Sequence, residues 1–225
     1  MNELSRPDDE PLRFGTEPFY AGLGRAFVVM CAVVPFLFLI EVLDWATPGY
    51  SLAQAGGIRP KQIDGLDGIL FAPFLHANFA HLYANSIPLI LLGTFVLAAG
   101  VKRFLWSTGV IMFVAGLGVW IVGSAGSVHV GASGVIFGFL GLLLTRGIVE
   151  RSWWNIAVAL LIGMLYWWQM FGMLPGQERV SWEGHLFGFI GGVIAAILFR
   201  HRRRRRPAGG PSGPDITLPD FRMPR

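Results

Sequence analysis

The sequence predicts an all-α membrane protein of six transmembrane helices with both termini in the cytosol, on three observations. The chain is 53% hydrophobic and only 14% charged over 225 residues, too apolar for an ordinary soluble domain. No Asp or Glu occurs between Asp67 and Glu150, a gap that a fold with a solvated surface would not readily leave. Apolar stretches of helical length recur along the chain, and Lys and Arg collect at alternate ends of them.

Residues 1–24 are polar, with Asp8, Asp9 and Glu10 among turn formers, and read as a cytosolic arm. The membrane domain is expected over residues 25–200. Its first span covers about Ala26 to Leu43 and holds Pro35, which lacks a backbone donor and is expected to kink the helix. Ala53-Gln54-Ala55 resembles a signal-peptidase site but stands well beyond Ile40, so the first span reads as an uncleaved anchor. From Asp44 to Ala80, Gly and turn residues alternate with the apolar run Ile69-Leu70-Phe71-Ala72-Pro73-Phe74-Leu75. That mixture fits an interfacial loop partly dipped into the bilayer.

Five more spans follow, at about His81 to Gly100, Phe104 to Gly123, Ala132 to Thr145, Trp153 to Leu174 and Gly184 to Phe199. The fourth and sixth are short for a hydrocarbon core of about 30 Å. Short helices suit the centre of a bundle, where neighbours shield their ends and water can enter. Trp153, Trp154, Tyr166, Trp167, Trp168 and Phe171 of the fifth span read as interfacial belts and lipid-facing surface. Residues 201–225 form a basic, Pro/Gly-rich cytosolic tail.

With both ends in the cytosol, 15 of the 18 Lys and Arg fall inside, including Lys102, Arg103, Arg146 and Arg151, and only Arg59, Lys61 and Arg179 fall outside. The net charge of +4 is a tail effect, because residues 200–225 carry eight Arg against Asp215 and Asp220. The run Arg202 to Arg206 follows an apolar helix directly, so it reads as a juxtamembrane contact for anionic lipid, not a nucleic-acid site. Cys31 is the single cysteine, which excludes an internal disulfide and a cysteine metal site.

This topology has a chemical consequence. Even-numbered spans run from outside to inside, so their first turns share one depth. His81 and Asn85 open the second span, Ser133 the fourth and His185 the sixth. Hydrocarbon penalises such polar groups unless they are paired, buried or wetted, so they mark function. A serine hydroxyl needs a base to become a nucleophile, and His185 is the base at matching depth. The layer offers no carboxylate except Glu183, two residues before His185 and on another side of a helix. A Ser-His dyad is therefore expected in place of a triad, with Glu183 an exposed acid favourable to the helix dipole.

Asn85 lies one turn after His81, and together with the Ser133 backbone N–H the two could hold an oxyanion. For His81 a purely structural hydrogen-bonding role stands beside that one. Gly131 and Gly134 allow close backbone approach, while Gly134-x-x-x-Gly138 and Gly188-x-x-x-Gly192 allow helices to pack closely. Gly188, on the His185 face, is placed to admit the fourth span. His129 precedes the fourth helix and reads as a loop or cavity-mouth residue, His76 as loop packing and His201 as solvated. No His-Glu-x-x-His occurs, so neither a metal nor another cofactor is expected.

His76-Ala77-Asn78-Phe79-Ala80-His81-Leu82-Tyr83-Ala84-Asn85, Gly131-Ala132-Ser133-Gly134 and Gly184-His185-Leu186-Phe187-Gly188 together resemble the rhomboid intramembrane serine proteases over about Gly65 to Gly192. Three motifs stand in the family's order on the corresponding spans. The resemblance implies a six-helix rhomboid-like bundle, a dyad of Ser133 and His185, and oxyanion donors at His81 and Asn85. It also implies membrane-protein substrates with a single span, cleaved near the outer leaflet, and the fifth span as a lateral gate. Two positions depart from the family pattern: Asp67-Gly68 replaces a Trp-Arg pair in the first loop, and Leu97 replaces a late Glu of the second span. A catalytically silent relative that binds membrane segments is the alternative, and retention of both Ser133 and His185 argues against it. A transporter would be expected to show intramembrane carboxylates or an internal repeat, and neither is visible. A bacterial plasma membrane is the expected location.

Overall fold

The computed structural model describes residues 14–200 apart from Pro48, Arg151, Glu178 and Arg179. Most of the proposed N-terminal arm, the tail run Arg202 to Arg206 and His201 thus lie outside the described residues. The described residues are helical, with eight α-helices: α1 (Glu17–Trp45), α2 (Leu52–Gly56), α3 (Gly68–Phe71), α4 (Phe79–Leu97), α5 (Val101–Val122), α6 (Ser133–Glu150), α7 (Trp153–Tyr166) and α8 (Trp182–Leu198). Five are long and apolar enough to cross a bilayer, counting α7 together with its 3₁₀ extension, Trp167–Met173; α8, at 17 residues, is shorter.

Helix starts follow local chemistry. Asn78 caps α4 by accepting the His81 N–H at 2.9 Å, and Ser181 caps α8 by accepting the Gly184 N–H at 3.3 Å. Each side chain satisfies a donor that the first helical turn leaves unpaired. α1 passes through Pro35 as one helix of 29 residues, longer at both ends than its apolar run. The loop between α1 and α4 is ordered by short helices. Asp44 accepts the Leu52 N–H at 2.7 Å, and Ile58 exchanges both backbone bonds with His129 at 2.9 and 3.0 Å.

α6 is the centre of the bundle, with α8, α7, α4 and α5 all packed on it, while α1 leans on α4. Of its apolar window 61% is buried, against 22% for α1 and 17% for α7. The central position predicted for the fourth span is therefore observed, but the predicted shortness is not: α6 runs 18 residues to Glu150, long enough to cross a bilayer. α6 and α8 meet at backbone level. A Cβ on Gly188 or Gly192 would fall on the carbonyl of Gly134 or Gly138 respectively. Nothing larger than hydrogen fits there, and closeness of this kind maximises dispersion contact between membrane helices.

At the opposite end of α6, Glu150 gathers partners from three helices. It accepts from Arg103 of α5, from Arg146 at 3.3 Å and from Asn155 of α7 at 2.6 Å. Arg103, Arg146 and Glu150 are all nearly inaccessible. Two residues of the fifth span are not lipid-facing: Tyr166 is buried, and Trp154 stacks on Phe14 at 4.5 Å with Phe19 edge-on at 5.1 Å.

Candidate active site

The segment leading into α6 is held in an unusual shape. Gly131 has φ +116°, a conformation that side-chain-bearing residues rarely adopt. Its N–H donates to Ala72 O at 2.9 Å, and the Ala132 N–H points to His76 Nε2 at 3.5 Å. His76 is buried, so burial pushes its imidazole down to about 4 and it is neutral at physiological pH. Ala72 and His76 thus brace the two residues before Ser133.

Ser133 is the first residue of α6. The Ile136 N–H already bonds Ala132 O, so the N–H groups of the first turn, Ser133 among them, have no acceptor within the helix. They face outward with the positive end of the helix dipole. The Ser133 hydroxyl has no hydrogen-bond partner among the described residues.

His81 and Asn85 converge on the same segment from α4. A Cβ on Gly131 would lie 2.5 Å from His81 Cε1, 2.8 Å from His81 Nε2 and 3.5 Å from Asn85 Nδ2. The space that glycine leaves open is where these side chains sit, two residues before Ser133. Asn85 is buried, and its Nδ2 has no partner among the described residues. An unspent buried amide donor is costly, and it leaves Asn85 free to donate to a further acceptor. His76 packs edge-on against His81 at 5.2 Å.

His185 lies in the first turn of α8, oriented from two sides. Its ring stacks on Phe137 with centroids 4.1 Å apart and planes 11° from parallel. Phe137 is one helical turn after Ser133 on the same face of α6, so the stack ties the imidazole to the helix that carries the serine. On its far side, His185 Nδ1 stands 2.9 Å from the Gly172 carbonyl, in the 3₁₀ extension of α7. A carbonyl only accepts, so Nδ1 carries the proton and the neutral ring presents its lone pair at Nε2. Nε2 has no partner among the described residues, and no hydrogen bond joins it to Ser133 in this arrangement.

Sequence reasoning missed Phe137 and Gly172. Phe137 was findable, being an aromatic four residues after the candidate nucleophile. Gly172 was not, because it acts through a backbone carbonyl that any residue possesses. Glu183 departs from expectation: it is buried, not exposed, because the first turn of α8 is packed into the bundle. Its charge acts on His129, where it opposes the desolvation that lowers that imidazole. A cavity of about 40 Å³ adjoins the site, lined by Gly131, Ser133, His129, Ser181 and Gly184 among others.

Comparison with known proteins identifies the family. An uncharacterized protein of Mycobacterium tuberculosis is 43% identical, covering 80% of this chain and 79% of its own length. One from Mycobacterium leprae is 39% identical over 84% of this chain and 77% of its own. The rhomboid protease GluP of Bacillus subtilis is 30% identical over 76% of this chain, a region amounting to 34% of GluP. No solved structure gives a significant match. The Rhomboid domain matches residues 65–202, from the first loop through the end of α8. This multi-pass membrane protein belongs to the rhomboid family.

Proposed function

We propose that the protein is an intramembrane serine endopeptidase of the bacterial plasma membrane, with both termini in the cytosol, that cleaves single-span membrane proteins near the outer leaflet. Ser133 is the nucleophile and His185 its base. The observation that carries this reading is the setting of His185: Phe137 holds the ring one turn from Ser133, and Gly172 fixes the tautomer that leaves Nε2 basic.

In the first step Ser133 Oγ attacks the scissile carbonyl while its proton passes to His185 Nε2. The developing oxyanion takes hydrogen bonds from the Ser133 N–H and Asn85 Nδ2, with His81 beside them. His185 returns the proton to the leaving amide nitrogen, the C–N bond breaks and an acyl-enzyme remains. Water attacks the ester with His185 again as base, releasing the second product and restoring Ser133. The apolar, weakly covered α7 is the route by which a substrate span reaches Ser133 from the lipid, and its 3₁₀ extension meets His185 at the end of that route.

Purified wild-type protein should bind a fluorophosphonate covalently and cut a single-span substrate in proteoliposomes. Ser133→Ala and His185→Ala should each lose cleavage, and Ser133→Ala should lose labelling. Full turnover by either folded variant overturns the dyad. A wild type that binds membrane segments without labelling or cutting them would instead be a silent relative.

A further inference from the structure

We infer that His129 and Ser181 form a clasp that sets the position of His185 relative to Ser133, and that both are positioning residues for the proposed reaction. His129 stands four residues before Ser133, and Ser181 stands four residues before His185. The pair is joined directly, His129 Nδ1 to Ser181 Oγ at 2.7 Å. One hydrogen bond therefore ties the approach to the nucleophile to the cap of the helix that carries the base.

The direction of every bond in this clasp follows from its ends. The Ser127 hydroxyl donates to Ser124 O at 2.6 Å, so toward His129 Nε2, 2.8 Å away, Ser127 Oγ can only accept. His129 Nε2 must then carry the ring proton, which leaves Nδ1 as the acceptor. The Ser181 hydroxyl therefore donates to Nδ1, while its oxygen accepts the Gly184 N–H at 3.3 Å as the cap of α8. No group in the chain is asked to donate twice. It requires a neutral His129, and burial pushes that imidazole below its ordinary value despite the pull of Glu183.

Each end of the clasp is anchored. His129 exchanges both backbone bonds with Ile58, and Gly131 is pinned to Ala72, so the approach to Ser133 cannot drift. On the other side, the His185 N–H bonds Ser181 O at 3.1 Å, which makes the cap and the base one rigid turn. The glycine seam between α6 and α8 fixes how close the helices lie but supplies no polar restraint at this end. The His129–Ser181 bond supplies it, beside the cavity that Ser133 also lines.

This inference rests on the dyad reading, so its test has one arm that does not depend on activity. Nitrogen NMR of histidine-labelled wild type should show His129 neutral with the proton on Nε2. A proton on Nδ1 overturns the clasp whether or not the protein is a protease. In the kinetic arm, His129→Phe and Ser181→Ala should lower kcat by about tenfold to a hundredfold with KM within about twofold. The rate of fluorophosphonate labelling should fall in parallel. Ser181→Thr keeps the hydroxyl and should recover labelling to within about threefold. If His129→Phe does not fold, Ser127→Ala gives the same reading, since it removes the acceptor that sets the ring's tautomer. Wild-type labelling by folded His129→Phe and Ser181→Ala, or equal losses in Ser181→Ala and Ser181→Thr, refutes the positioning role. A wild type that neither labels nor cleaves removes the dyad, and the tautomer then decides the clasp alone.

Discussion

Gly188 offers the most direct test of how the site is assembled. A Cβ placed there falls on Gly134 O, with Gly134 C at 2.9 Å and Gly134 Cα at 3.2 Å. These are backbone atoms, so no side chain can rotate away. Ordinary contacts lie at about 3.5–4.0 Å, so even alanine must push α8 from α6 by about 1 Å. Gly134 follows Ser133 directly and Gly188 is one turn after His185, so the separation opens at the proposed dyad itself. A shift of that size costs about a hundredfold in rate, and the strain costs about 1–3 kcal/mol of stability. Gly188→Ala should therefore lose most turnover and fluorophosphonate labelling while keeping its helical circular dichroism, and Gly188→Val should lose more. Gly109, whose Cβ would meet nothing within 4 Å, is the control: Gly109→Ala should behave as wild type. Wild-type turnover by folded Gly188→Ala would mean that the separation of these helices does not govern the chemistry.

Other substitutions separate the remaining parts. Asn85→Ala should cut kcat by about a hundredfold, roughly 3 kcal/mol, because an oxyanion donor acts chiefly in the transition state; a change in KM alone would make Asn85 a substrate-binding group. Glu150→Ala leaves Arg103 and Arg146 buried without their carboxylate and should cost about 3–5 kcal/mol, seen as a lower melting temperature in detergent; an unchanged melting temperature would show the cluster to be dispensable. His76 gives a pH signature. Its folded-state value of about 4 lies below the ordinary 6.5, so the unfolded chain binds its proton first as pH falls. The stabilisation from neutral His76 is complete above about pH 6.5 and is lost as pH drops toward 4, by up to about 3 kcal/mol. Stability measured against His76→Phe across that range should show the difference; parallel pH profiles would refute it.

The all-helical class was legible because it follows from the cost of hydrocarbon contact. Acid-free apolar runs predict spans, and His81, Asn85, Ser133 and His185 stand out because such residues are expensive there. What escaped was pairing. Arg103 and Arg146 were read as charges that orient the chain, yet they are held by Glu150, and only the fold shows that α5, α6 and α7 end at one point. Lone charges and clustered charges look alike in a sequence. His129 was set aside because it precedes a helix, which is a reason about its own segment alone. Its partner Ser181 is 52 residues away, and no spacing rule connects them.

The way His185 is oriented follows from the same solvent physics. A soluble dyad can recruit a carboxylate to fix the imidazole, but a carboxylate beside His185 would have to be desolvated at a cost of several kcal/mol. A backbone carbonyl performs the orienting task with no charge to desolvate, since Gly172 O is already part of the protein and needs a donor. It sets the tautomer through position alone. The acid two residues before it, Glu183, acts through its charge on His129, where it opposes desolvation. The arrangement also makes the proposed base depend on the end of α7, the most exposed of the packed spans. Movement of that segment to admit a substrate would shift Gly172 and, with it, the bond that holds Nε2 ready. Under the proposed mechanism, access to Ser133 and the orientation of its proposed base would both be carried by one stretch of chain, Trp167–Met173.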